Sequence, residues 1–454
     1  MSILNLTPSK PTLTQVENAF QPAKEVIAPL KFAGRKSAVQ QAYFALLSEG
    51  AHIAVVGNRG IGKTSLGRQI INLASGDNDL LGKLSLAFDR KLDFLTVYLT
   101  CGTSVKDTTN LLERLLSSKN CLADWIYDIP SASKAASGYT PKIGGNIFGA
   151  ELSLAYENKA EQSFSPAVSE HQIDAVFTNV VSEIARQNLA PDGVLIVIDE
   201  FDQIVDPTGF ASFLKSIATN VPKVKFCIVG VAQDIHNLMK EHQSSDRLFA
   251  GAIITLPSMD ADELLEIITI AEKSIDSYIT FHSSAADRLV ELAHGQPYMV
   301  HLIGKYALRH AFLADQRQIT LQMIEETLKL IAERQYDPVL EGRYKKAVAS
   351  SEQRETVLRA MAESQAGDGE VHTTVAYKTA LEQGVDNASQ YVGQLVTEEY
   401  GREIEKVRDR YYRFQDALFT AYIRARPRLV LKADQPTDAQ TRPTPPSTEI
   451  APSA

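Results

Sequence analysis

Gly57-Asn58-Arg59-Gly60-Ile61-Gly62-Lys63-Thr64 follows the apolar run Ile53-Ala54-Val55-Val56 and leads into a helical stretch from Ser65 to Leu73. Gly-x4-Gly-Lys-Thr between a strand and a helix is a phosphate-binding loop in the setting its chemistry requires. Its glycines let backbone N–H groups close around phosphate oxygens, and the helix N-terminus adds partial positive charge. Lys63 is expected to reach the β- and γ-phosphates and the Thr64 hydroxyl to hold Mg2+.

A second chemical centre lies in Val194-Leu195-Ile196-Val197-Ile198-Asp199-Glu200-Phe201-Asp202. The unbroken aliphatic run predicts a strand buried on both faces of a parallel sheet, with its carboxylates at the edge where such sheets place ligands. Asp199 is the residue type to hold Mg2+ through water, and Glu200 to orient and activate an attacking water. The pair extends the reading from nucleotide binding to hydrolysis.

Further strands are predicted over residues 94–99, 223–230 and 252–256, and helices over 38–49, 107–117 and 172–187. Gln233, just past the fourth strand, can donate to a phosphate from its amide, and Asp234 is the second candidate. Arg247 precedes the fifth strand, where it could reach a phosphate bound by a neighbouring subunit. Residues 1–29 carry scattered prolines without a period and read as an N-terminal arm. Small residues, Gly and Pro from Ser131 to Gly149, then period-two alternation from Ala150 to Tyr156, read as a hairpin or insertion at about 125–165.

The 454 residues carry a net charge of −9 and 44% hydrophobic residues, enough for several buried cores. Three scattered cysteines, Cys101, Cys121 and Cys227, show neither a disulfide framework nor a zinc pattern. Without a signal-peptide pattern or an apolar run near membrane length, the expected location is cytoplasmic, with no membrane contact. The negative charge confines any DNA contact to a local basic face.

Together these residues resemble the AAA+ ATPases, in the branch of origin-recognition and replication-initiator ATPases and the STAND switch ATPases. Five features carry the resemblance in the family's order. They are Phe32-Ala33-Gly34-Arg35, the phosphate loop, Ile198-Asp199-Glu200-Phe201-Asp202, Val229-Gly230-Val231-Ala232-Gln233-Asp234, and Ser244-Ser245-Asp246-Arg247. The resemblance implies an α/β P-loop three-layer αβα core over residues 30–256, with a parallel five-stranded sheet of order 5-1-4-3-2. A helical lid (257–340) and a winged-helix domain (341–432) would follow.

By the same resemblance Phe32 to Arg35 lie near the adenine base, and residues Gly57, Asn58, Arg59, Gly60, Ile61, Gly62, Lys63, Thr64 and Ser65 hold ATP. Asp199 and Glu200 form Walker B, with Thr64 and Asp199 as the Mg2+ pair. Gln233 is sensor 1 and Arg247 the finger. In the lid, His294-Gly295-Gln296-Pro297 looks like the Gly-x-Pro element that STAND ATPases set against nucleotide, which makes Pro297 a binding candidate. The sequence departs from many AAA+ members in having no arginine after it until Arg309.

Between Gly401 and Lys432 nine Lys/Arg face four Asp/Glu, and Arg408, Arg410 and Arg413 interleave with Tyr411, Tyr412 and Phe414 as a phosphate-gripping wing would. The presumptive recognition helix at residues 387–397 lacks Lys and Arg. Residues 433–454, rich in Pro, Thr and Ser, are expected to be disordered. The preferred expectation is an ATP-driven switch whose nucleotide state controls homo-oligomerisation and binding of a partner protein or DNA. The alternative is a DNA-binding initiator or transposition-type loader that clamps duplex in its ATP state.

Overall fold

The computed structural model describes residues 9–88, 90–118, 120–126, 128–136, 173–231, 247–367 and 369–428. Parallel strands β1 (Ile53–Gly57), β2 (Phe94–Thr100), β3 (Gly193–Asp199), β4 (Val224–Gly230) and β5 (Ile253–Leu256) form one sheet in the order β2-β3-β4-β1-β5. This is the expected order read from the opposite edge.

Every residue of β3 is buried. Val194, Ile196 and Ile198 pack in the layer of helices Thr108–Ser117, Ile173–Arg186 and Phe210–Asn220. Leu195 and Val197 pack in the opposite layer, with Lys36–Leu47 and the phosphate-loop helix Lys63–Ala74. Coverage on both faces is why this strand reads as an unbroken apolar run instead of alternating. The loop after β1 and the carboxylates after β3 therefore emerge at the same carboxyl edge.

The lid comprises helices Ala261–Lys273, Ser283–Ala293, Pro297–Leu313 and Leu321–Glu333, with β6 (Thr280–Phe281) and β7 (Gln318–Ile319) paired in parallel. Its first helix opens on a capping box. The Asp260 carboxylate accepts from the Glu263 backbone N–H at 2.8 Å, and Glu263 accepts from the Asp260 N–H at 3.2 Å.

The N-terminal stretch, expected as an arm, contains helix Leu13–Ala19, capped by Thr12 and Gln15. Val16 and Phe20 are fully buried against the lid, where the Phe20 ring occupies the space beside Gly304; a Cβ there would lie 2.7 Å from it. Glu17 pairs with Arg309 and, at 3.4 Å, with Lys305. Residues 12–20 thus pack as part of the lid. The expected insertion also begins differently, because residues Ala123–Ile126 and Pro130–Ala136 are helical. Its alternating stretch at 150–156 and the tail at 433–454 lie outside the described residues.

The C-terminal unit consists of helices Pro338–Val348, Glu352–Glu363, Thr373–Glu382 and Ala388–Leu395, strands β8 (Glu370–His372), β9 (Ile404–Arg408) and β10 (Tyr411–Phe414), and a final helix Ala417–Ala425. The strands form an antiparallel sheet in the order β8-β10-β9, in which β8 was not foreseen from sequence. Expected as a separate domain, the unit instead shares one continuous hydrophobic cluster with the lid and the N-terminal helix. Leu264 and Ile303 of the lid and Leu418 and Phe419 of the final helix belong to it. Burial on this scale joins lid and C-terminal unit energetically, since each buried large aliphatic side chain contributes about 1.5–3 kcal/mol.

Candidate functional site

The phosphate loop turns between β1 and its helix through Gly60 (φ 74°) and Gly62 (φ 98°), both in the left-handed region that glycine enters without a Cβ clash. Backbone N–H groups at this helix start have no partner within the helix, so they are available to an anion. The Lys63 ammonium donates to the Asn58 carbonyl oxygen at 2.9 Å. Burial lowers its pKa, with Arg59 adding to the effect, while Asp202, Asp199 and, least of the three, Asp416 oppose it. Asp416 caps the final helix, so the C-terminal unit contributes to the electrostatics of the loop.

Asp199 is buried at the end of β3. Its Oδ1 accepts from the Glu200 backbone N–H at 2.9 Å and its Oδ2 from the Tyr98 hydroxyl at 2.6 Å. Burial, and then the bond to Asp199, raises the Tyr98 pKa well above its usual value, so the hydroxyl stays a donor. Glu200 adopts φ 54°, an unusual left-handed conformation for a non-glycine residue. Partial burial raises its carboxyl pKa, Asp199 and Asp202 add to this, and Arg59 and Lys63 counteract it.

A cavity of about 350 Å3 lies between base and lid. From the base it is lined by Gly60, Ile61, Gly62, Lys63, Thr64, Ser65 and Glu200, and from the lid by Met259, Ile267, Pro297, Tyr298 and His301. Residues 21–26 together with Lys31, Phe32, Ala33 and Arg35 complete its wall. Of the residues expected from sequence, the structure thus gathers Phe32, Gly60 to Ser65, Glu200 and Pro297 on one cavity. Gly57, Asn58 and Arg59 belong to the same loop without lining the cavity. Asp199 lies behind it, close enough to influence Lys63. Arg247 is exposed just before β5 and is not among the lining residues. Gln233 and Asp234 lie outside the described residues. The hydroxyl of Thr64 and the carboxylate of Asp199 are hard oxygen donors of the kind that suit Mg2+, which takes one or two protein ligands and keeps several waters.

Several contributors were not apparent in the sequence. Residues 21–27 run from lid to base across the cavity. The Gln21 N–H donates to His301 Nδ1 at 3.3 Å, and the Val26 N–H donates to Ser65 Oγ at 3.1 Å. Gln69 and Asn72 then donate to the Val26 and Ile27 carbonyls at 2.8 Å. Burial pushes the His301 pKa down to about 4, so the ring accepts at Nδ1 as a neutral imidazole. Arg35, buried with φ 61°, donates to the carbonyls of Pro257 (2.6 Å) and Ile61 (3.1 Å), linking the loop to the base–lid junction. The C-terminal unit also reaches the loop: a Cβ on Gly60 would lie 3.0 Å from Leu418 and 3.3 Å from Tyr298. The Phe32-x-Gly-Arg pattern points to Arg35 near the nucleotide, though not to these carbonyl contacts, whereas no local signal marks Leu418.

Among the described residues no helix is long and apolar enough to cross a membrane. A comparison with curated proteins finds no match. Among solved structures the chain is similar to the Walker-type ATPase paby2304 of Pyrococcus abyssi, at 14% identity and TM-score 0.51, covering 88% of this chain and 99% of that one. That likeness concerns the fold. The ORC2 protein of Aeropyrum pernix (12% identity, 93% and 95% coverage, TM-score 0.45) and Cdc6p of Pyrobaculum aerophilum (13%, 90% and 97%, 0.43) are more distant. The model of the family described as Novel STAND NTPase 1 matches residues 19–399, which include the phosphate loop, the β3 carboxylates, the lid and most of the C-terminal unit. With the loop, the sheet order and the cavity in place, the chain belongs to this family of P-loop NTPases.

Proposed function

We propose that the chain is an ATP-binding and ATP-hydrolysing molecular switch whose nucleotide state controls assembly with copies of itself and access of a partner protein. One observation carries this reading: base, lid and C-terminal unit converge on the phosphate loop, where Leu418 and Tyr298 pack beside Gly60. Because the lid shares its core with the C-terminal unit, a displacement of the lid by nucleotide is transmitted to the C-terminal surface.

In this reading Lys63 binds the β- and γ-phosphate oxygens, and Phe32 and Pro297 flank the nucleotide from base and lid. Thr64 and Asp199 would hold Mg2+, which supplies neutralisation of phosphate charge when bound. Glu200 orients the attacking water and accepts its proton, a task that its raised pKa suits. Gln233 senses the γ-phosphate, and Arg247 reaches the nucleotide of a neighbouring copy.

The C-terminal unit, with its three-stranded sheet and short helices, fits a winged helix. A DNA-clamping loader is the second reading, resting on the basic wing. Two of that wing's arginines are engaged within the unit: Arg408 lies 2.7 Å and Arg413 3.3 Å from Glu370 oxygens. The helix at residues 388–395 offers no cation for the major groove. Both features favour a protein-facing surface.

If Arg247 acts in trans, turnover per chain rises with protein concentration, and Arg247→Ala flattens that rise; such fingers contribute about 10³- to 10⁵-fold. Steady-state ATPase assays over a dilution series check this, and a flat wild-type profile counts against it. Stimulation by duplex DNA that disappears as salt rises would favour the loader.

A further inference from the structure

The two groups assigned to Mg2+ stand on different elements, Thr64 in the phosphate-loop helix and Asp199 at the end of β3. Their relative placement must be fixed by something other than either element alone. Arg68 lies one helical turn beyond Thr64 and so shares its face. The Arg68 guanidinium stacks over the Tyr98 ring, 3.5 Å from its centroid, and the Tyr98 hydroxyl donates to Asp199 Oδ2 at 2.6 Å. Arg68 Nη2 donates to Glu25 Oε1 at 3.1 Å, and Glu25 belongs to the segment that walls the cavity. Arg68 Nε is buried without a partner among the described residues. The ring and Glu25 are therefore the contacts that hold the guanidinium.

We propose that Tyr98 is a positioning residue for the metal-facing carboxylate of Asp199, with Arg68, anchored by Glu25, setting the position of the Tyr98 ring. The proposal rests on the nucleotide-site reading above. Its chemistry is simple. One hydroxyl and one backbone N–H each occupy one Asp199 oxygen, which fixes the rotation of the carboxylate and leaves an acceptor position on each oxygen. Removing an outer partner of a directly ligating group costs about 10- to 100-fold in metal affinity, and the low end of that range suits a carboxylate that holds the metal through water.

The test is Mn2+ binding, followed by electron paramagnetic resonance with the imido analogue of ATP, which is not hydrolysed. Tyr98→Phe deletes only the hydroxyl and is expected to weaken Mn2+ binding about tenfold. Affinity for a fluorescent ATP analogue in EDTA, and the thermal midpoint in EDTA, should stay at wild-type values. Arg68→Ala should weaken Mn2+ binding in the same direction, and Arg68→Lys should recover part of the loss by returning a cation to the ring. Wild-type Mn2+ affinity in Tyr98→Phe overturns the proposal. Should Tyr98→Phe lower the thermal midpoint in EDTA, Arg68→Ala decides: weakened Mn2+ binding supports the role, and wild-type affinity overturns it. Asp199→Asn separates the two levels. If it binds Mn2+ as wild type does, the site reading itself fails; if it is weakened while Tyr98→Phe is not, only the Tyr98 role falls.

Discussion

Lys63→Ala is expected to lose at least about 100-fold in nucleotide affinity, or to lose turnover altogether. The ammonium sits at the start of the phosphate-loop helix, partly withdrawn from water, and its observed partner is a neutral carbonyl, that of Asn58. Exchanging this partner for phosphate oxygens converts a neutral-acceptor hydrogen bond into a charge-assisted one. Hydrogen bonds to charged groups contribute about 1.5–3 kcal/mol each, so two such contacts account for about 3 kcal/mol or more. Calorimetric titration with ATP measures the loss directly. Wild-type affinity together with wild-type hydrolysis in the variant would remove the phosphate loop from the proposed site.

Glu200→Gln is expected to separate binding from chemistry. The side chain keeps its size, and the nucleotide contacts assigned to the loop and lid do not involve it. Affinity for ATP should therefore remain within a few-fold of wild type, whereas turnover should fall about 10²- to 10⁴-fold, the range attributed to a positioned general base. The structural ground for choosing this carboxylate over Asp202 is position, since Glu200 lines the cavity and Asp202 does not. Single-turnover hydrolysis at saturating ATP makes the comparison cleanest. A normal rate would move the role of base to another group.

Much of the base was legible because its signals are local. The phosphate loop fixes its own glycines, and the apolar run of β3 can be covered only by two layers of helices. In the lid, Asp260 caps one helix and Pro297 stands at the first position of another, both of them local signals of a helix start. What escaped was set by tertiary contact. Helix Leu13–Ala19 is too short to display a period, although Thr12 and Gln15 carry its capping box and Val16 and Phe20 mark its buried face. The joining of lid and C-terminal unit depends on residues such as Ile303 and Phe419, far apart in the chain and each unremarkable alone.

The site follows the same division. The residues that address phosphate could be named from spacing. Those that hold them, Arg35 through carbonyls of residues 61 and 257 and Tyr98 through Asp199, make their contacts across elements that only the fold brings together. The basic wing divides in the same way. Its arginines could be read directly from the sequence, whereas the pairing of Arg408 and Arg413 with Glu370 of strand β8, unforeseen from sequence, could not.

The most direct test of a nucleotide-controlled switch is the mass of the Glu200→Gln chain in solution by light scattering, with ATP and Mg2+ in one sample and ADP and Mg2+ in the other. A larger assembly with ATP than with ADP, lost when Lys63→Ala is added, is the expected result. The same mass in both samples, with binding of both nucleotides verified, would contradict the proposal that nucleotide state governs assembly.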